Sequence, residues 1–219
     1  MRQVAILGGT FDPVHWGHLL IAETALSQVP LEQVIWVPAR CPPHKLAAKF
    51  EHRLEMVQRA ITDHPAFVIS PLAANRGTSY AFQTLIALKA LYPNTHLYWI
   101  IGLDAFQTLP RWYRRQELAW CDWLVVPRLV SAAPDIDAPD RSSATSDSIC
   151  KQVAQQLTVQ DITIHWQLLQ MPEVGVSSSL IRQYCRDGCS IRYLVPEAVR
   201  QYIINHNLYT GMGFPVPTP

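Results

Sequence analysis

Short apolar runs alternate along this chain with longer stretches in which apolar positions recur at helical spacing. The runs are Val4–Leu7, Val34–Val37, Phe67–Ile69, Leu97–Ile101, Trp123–Val126 and Ile162–Leu168. The helical patterns include Leu19–Gln28, Glu51–Thr62, Tyr80–Leu91, Arg115–Ala119 and Ser148–Leu157. A strand with one wet face alternates apolar and polar residues. The early runs here are apolar almost throughout, which predicts strands covered by helices on both sides. Strand–helix alternation therefore predicts an α/β fold: a doubly wound, Rossmann-like parallel sheet with helices on both faces, in a single domain.

The pattern fails in two places. Residues 131–148 are rich in Ser, Ala, Pro and Asp and have no apolar period, so they read as a long surface loop. Residues 211–219 hold three prolines and two glycines and read as a flexible tail to a domain spanning residues 1–210.

Ligands of doubly wound sheets sit at the carboxyl ends of the strands. The first run ends in Gly8-Gly9-Thr10-Phe11-Asp12-Pro13-Val14-His15-Trp16-Gly17-His18. Glycines after a strand let a phosphate approach the backbone, and a helix N-terminus offers free N–H groups and partial positive charge. His15 and His18, three residues apart, can flank one anion. The string is neither GxxxxGK[ST] nor GxGxxG. A second such end is Ile100-Ile101-Gly102-Leu103-Asp104, where Asp104 either accepts ribose hydroxyls or caps a helix over Ala105–Leu109. Val176-Ser177-Ser178-Ser179-Leu180-Ile181-Arg182 opens another helix, with serine hydroxyls as caps and Arg182 one turn further on. Asp12, before Pro13, reads equally as a structural cap or as a contact to a bound cation or its waters.

Composition narrows the classes. With 49% hydrophobic residues the chain can bury a sizeable core, and a formal net charge of +1 gives no footing for DNA or RNA. A small anionic substrate needs only a local positive site. The five cysteines (Cys41, Cys121, Cys150, Cys185 and Cys189) form no CxxC pair, and no metal-ligand cluster stands out. No apolar run spans a bilayer, and the first residues read as a strand rather than a secretory leader, so a soluble cytoplasmic protein is expected.

The string from Gly8 to His18 resembles the GGTFDPxHxGH signature of the nucleotidyltransferase superfamily, and within it nicotinate-nucleotide adenylyltransferase. Three further stretches resemble the same family: Pro42-Pro43-His44-Lys45, Thr78-Ser79-Tyr80 with Gln83-Thr84-Leu85, and Leu109–Tyr113. The IIGxD and ISSTxIR motifs are matched by Ile100–Asp104 and by Val176–Arg182, with Val176 for Ile and Ser179 for Thr.

The resemblance implies an in-line attack by a phosphate oxygen of nicotinate mononucleotide on the α-phosphorus of ATP, releasing pyrophosphate. Because the nucleophile is already an anion, catalysis rests on neutralising charge rather than on a strong base. It implies catalytic roles for His15, His18 and Arg182. ATP is assigned to Gly8, Gly9, Thr10, Phe11, Gly102, Asp104, Ser177, Ser178 and Ser179 beside those three. The mononucleotide is assigned to Lys45, Thr78, Trp112 and Tyr113, with Trp112 stacking on the pyridine ring and Thr78 and the Tyr113 N–H reading its carboxylate. Magnesium arrives on ATP without a dedicated protein ligand set. A homo-oligomer is compatible with the sequence.

Three other readings stand beside this one. The amide substrate, nicotinamide mononucleotide, differs by one group that backbone donors can read. Pantetheine-phosphate adenylyltransfer is disfavoured by His15, where that family usually carries threonine. A nucleotide-binding protein without catalysis would be expected to have lost a histidine or Arg182.

Overall fold

The computed structural model describes residues 1–40, 47–74, 81–127, 141–172 and 174–210. Its elements run β1 (Arg2–Gly9), α1 (Trp16–Gln28), β2 (Gln33–Pro38), α2 (Phe50–Ile61), β3 (Phe67–Ile69), α3 (Ala81–Leu91), β4 (Thr95–Gly102), α4 (Leu103–Phe106), β5 (Asp122–Val126), α5 (Arg141–Thr158), β6 (Trp166–Leu168), α6 (Ser178–Arg186) and α7 (Glu197–Asn205). Short 3-10 turns cover Pro71–Ala74, Leu109–Arg111 and Arg115–Trp120. The six strands form one sheet in the order β3-β2-β1-β4-β5-β6. The pairings β1–β4, β4–β5 and β5–β6 are all parallel. The α/β sheet expected from the apolar runs is therefore the fold, and its strand order reverses at β1–β4, where such folds bind ligands.

The chain packs as two compact units. The first comprises residues 1–8, 22–34 and 80–173. Its core is built on Val4–Leu7 of β1, Leu97 and Trp99–Ile101 of β4, and Trp123–Val125 of β5, all buried. Leu7 stands opposite Ile100, so Gly8 and Gly102 close neighbouring strands at their carboxyl ends. The second unit comprises residues 9–21, 35–79 and 174–219. Here α2 presents Phe50, Arg53, Met56, Val57 and Ile61 to the interior, a helical stripe with one charged member. In α6 the buried residue is Ile181, worth roughly 1.5–3 kcal/mol. So little apolar burial leaves the placing of α6 to polar bonds from its serines and arginine.

Four expectations are corrected. Residues 141–148 are not loop, because α5 begins at Arg141 rather than near Ser148. The last strand is only Trp166–Leu168; Ile162 and Ile164 are buried without joining the sheet. Residues 115–119 lie in a 3-10 turn rather than an α-helix. The helix expected over Ala105–Leu109 starts at Leu103, so Asp104 sits within its first turn and Gly102 is the cap residue. Residues 131–140 and 211–219, Lys45 and Thr78 lie outside the described residues.

Candidate active site

In the second unit, the segment after β1 turns sharply at Phe11, whose backbone is left-handed (φ 50°). Its buried ring packs edge-on to His18, with centroids 5.0 Å apart, and tilted against Trp36 at 5.3 Å. A Cβ on Gly9 would lie 2.8 Å from the Phe11 ring, so glycine there is a requirement of packing. At Gly17 the fit is tight rather than closed: a Cβ would meet Nδ1 of His15 at 3.0 Å, and that ring would have to give way slightly. The glycine between the histidines leaves the His15 ring room to fold against the first turn of α1.

The two imidazoles lie 3.8 Å apart, centroid to centroid. The His15 backbone N–H donates to Nδ1 of His18 (3.3 Å). An accepting Nδ1 carries no proton, so neutral His18 holds its ring proton on Nε2. Burial pushes the His15 imidazole down to about 4, and burial with the nearby His15 charge holds His18 well below its ordinary value. Both rings are neutral at pH 7 before an anion arrives.

The pH dependence of stability follows in sign. An unfolded His15 takes up its proton near pH 6.5 and the folded one only near 4. Between those values the unfolded chain binds more protons, so the stability present above pH 6.5 is lost as pH falls toward 4. Urea titrations at pH 7 and pH 5 are expected to show this contribution as about 2 kcal/mol lost by the wild type relative to His15→Gln. Equal losses in both proteins would contradict it.

Asp12 is buried and gathers three segments. Its Oδ1 accepts from the Tyr209 hydroxyl (2.7 Å) and from the backbone N–H of Ala48 (3.1 Å). Its backbone carbonyl accepts from Nη1 of Arg182 (2.7 Å), and that nitrogen lies 3.7 Å from Oδ2. Sequence left Asp12 open between cap and cation contact; its carboxylate is held by protein donors. Arg53, also buried, donates from Nη1 to the carbonyl of Thr10 (2.6 Å), from Nε to Ala48 (2.9 Å) and from Nη2 to Arg40 (3.1 Å). It ties the turn to the segment after β2.

The serines of α6 all find partners. Ser177 caps the helix by accepting from the Leu180 N–H (3.2 Å). Ser178 donates to the carbonyl of Pro13 (2.9 Å), and Ser179 accepts from Nη2 of Arg182 (3.2 Å). The two motifs, 165 residues apart at Pro13 and Ser178, thus form one structure. Arg182 is clamped to a carbonyl three residues before His15, with its side chain 28% exposed.

The first unit holds the rest. Gly8 faces Trp99: a Cβ would sit 3.3 Å from the indole. A Cβ on Gly102 would meet nothing within 4 Å, and its φ of −68° needs no glycine, so packing among the described residues does not explain that residue. Asp104 is exposed at the start of α4. The indole N–H of Trp112 donates to the Thr108 hydroxyl (2.8 Å), and its ring stands perpendicular to Trp123. Tyr113 is exposed, edge-on to Phe82. Among the described residues, no three His, Cys, Asp or Glu are grouped to hold a metal ion, and no helix is long and apolar enough to cross a membrane.

Sequence reasoning missed Arg53 and Tyr209. Arg53 had a signal, since a charge on the apolar stripe of an amphipathic helix needs buried acceptors. Tyr209 had none.

Residues 6–184 match the family described as cytidylyltransferase-like. A Nostoc protein named as a probable nicotinate-nucleotide adenylyltransferase is 60% identical over 212 residues, covering 96% of this chain and 98% of its own. A protein of the same name from Geobacillus kaustophilus is 38% identical, covering 95% of this chain and 87% of its own. Among solved structures, the Plasmodium falciparum nicotinic acid mononucleotide adenylyltransferase complexed with NaAD superposes with a TM-score of 0.73 at 20% identity, covering 95% and 98% of the two chains. That likeness supports the fold.

Proposed function

This chain belongs to the cytidylyltransferase-like family and, within it, to the nicotinate-nucleotide adenylyltransferases, and on that premise we propose that it joins nicotinate mononucleotide to the adenylyl group of ATP. A phosphate oxygen of the mononucleotide forms a bond to the α-phosphorus. The bond to the bridging oxygen of the β-phosphate breaks, and pyrophosphate leaves with the electron pair. The products are deamido-NAD and pyrophosphate. Magnesium enters as part of the ATP substrate.

The observation that carries this reading is the docking of Arg182 and Ser178 onto the turn that holds both imidazoles. A phosphoryl centre under attack spreads charge over its oxygens, and donors already fixed in place stabilise it most. His18 supplies an Nε2–H as a neutral donor. Arg182 supplies a permanent charge for the β- and γ-phosphates. His15 supplies a second imidazole that the incoming anion can hold in its protonated form. Gly102 and Asp104 take the adenosine side, at the strand ends where a ribose diol meets a carboxylate. All four described cysteines are free thiols, in keeping with the reducing cytoplasm we propose for the enzyme.

Trp112, fixed by its bond to Thr108, stacks on the pyridine ring, and a cationic ring strengthens that contact. Trp112→Ala is expected to raise KM for the mononucleotide about tenfold and to leave KM for ATP within twofold. Equal rises in both constants would remove the indole from the pyridine site.

Turnover of ATP against a panel of phosphate acceptors tests the function. Nicotinate mononucleotide should be used best, nicotinamide mononucleotide less well and pantetheine phosphate not at all. A preference for the amide or for pantetheine phosphate would reassign the acceptor, and tight ATP binding without turnover on any of them would remove catalysis.

A further inference from the structure

The Asp12 carboxylate is the buried negative charge nearest to Arg182, and the way it is held bears on how much of the arginine's charge reaches a substrate. At 3.7 Å, Oδ2 is too far from Nη1 for a hydrogen bond, although the same nitrogen lies 2.7 Å from the Asp12 carbonyl. The two charges already form an ion pair at that distance, and a rotation of the carboxylate would shorten it to a direct hydrogen bond. Two donors on Oδ1 oppose the rotation: the Ala48 N–H and the Tyr209 hydroxyl. The second is the shorter, at 2.7 Å.

Tyr209 reaches Asp12 from the segment after α7, where Asn207 and Tyr209 both adopt left-handed backbone (φ 49° and 65°). Asn visits that region readily at a helix end, but a tyrosine seldom does, at a cost of order 1–3 kcal/mol, and such a conformation persists where the surroundings over-determine it. The phenol is driven further from ionisation by burial and by Asp12, so it stays a donor.

We propose that Tyr209 is a positioning residue for adenylyl transfer: its hydroxyl occupies Oδ1 of Asp12 and keeps the Asp12–Arg182 ion pair from shortening to a hydrogen bond, so that more of the guanidinium's charge reaches the polyphosphate. The proposal rests on the reading of Arg182 as a phosphate ligand. Tyr209 touches no substrate in this scheme. Its removal slows the chemical step without weakening ATP or acceptor binding to match.

The test is a set of single-turnover rates at saturating enzyme, which do not depend on any unfolded fraction, with KM values from steady-state rates beside them. Tyr209→Phe should slow the step about tenfold with both KM values within twofold of wild type. In an Asp12→Asn background, where no charge remains to close on Arg182, the same change should cost less than twofold. A wild-type rate for Tyr209→Phe would overturn the proposal, as would an undiminished tenfold loss in the Asp12→Asn background. Arg182→Ala is measured alongside. If that variant keeps the wild-type rate, the phosphate role of Arg182 fails and takes this proposal with it; if it is slow while Tyr209→Phe is fast, only the Tyr209 proposal fails.

Discussion

His18→Ala is expected to lower turnover by at least about 100-fold, while KM for ATP and for the acceptor changes by less than about fivefold. The fold sets the tautomer of His18. Nδ1 of His18 accepts from the His15 backbone N–H, which places the proton on Nε2. The ring is further fixed by Phe11 on one side and His15 on the other. A donor held this way costs no reorganisation when charge builds on the phosphate oxygens, and its loss falls on the transition state rather than on the ground state. Steady-state kinetics with saturating acceptor read both constants. A wild-type rate in the alanine variant would take His18 out of the chemistry.

Arg182→Ala carries a comparable expectation, a loss of about 100-fold or more in kcat, with a structural component that must be separated from it. The side chain does two jobs. Its guanidinium is the only charge that α6 sends to the Asp12 carbonyl and the Ser179 hydroxyl, so alanine leaves that carbonyl without this donor. Ile181 in the core and the bond from Ser178 to Pro13 still hold α6, and the Ser177 cap still closes its first turn. Those contacts are expected to keep the helix in place, with a melting temperature within a few degrees of wild type. Arg182→Lys retains the charge but not the fork, and should recover only part of the rate. The lysine variant matching alanine would mean that geometry matters more than charge; an unchanged rate in the alanine variant would remove Arg182 from the reaction.

Sequence carried the fold well where burial dominates. The runs that became β1, β2, β4 and β5 are covered by helices and so contain little but apolar residues. It carried less where a helix lacks apolar markers. Among the described side chains of α5 the buried ones include Ser146, Cys150, Val153 and Leu157, and one of these is a serine. The sequence from Arg141 to Ser148 has no apolar residue at helical spacing, and the segment reads as loop. The chemistry-bearing strings from Gly8 to His18 and from Val176 to Arg182 were legible because each residue type answers a local demand, such as the glycines that clear the Phe11 and His15 rings. The contacts that lock those strings together were not. Arg53 and Tyr209 act at a distance of 43 and 197 residues from the turn atoms they hold, and no local pattern encodes a partner so far along the chain.

Which bond of ATP breaks distinguishes adenylyl transfer from transfer of the terminal phosphate. Product analysis of one turnover with ATP and nicotinate mononucleotide answers this directly. Adenylyl transfer predicts one pyrophosphate and one deamido-NAD for each ATP consumed. Inorganic phosphate with ADP would show cleavage at the terminal phosphate, and would contradict the placing of the imidazoles and Arg182 around the α- and β-phosphates.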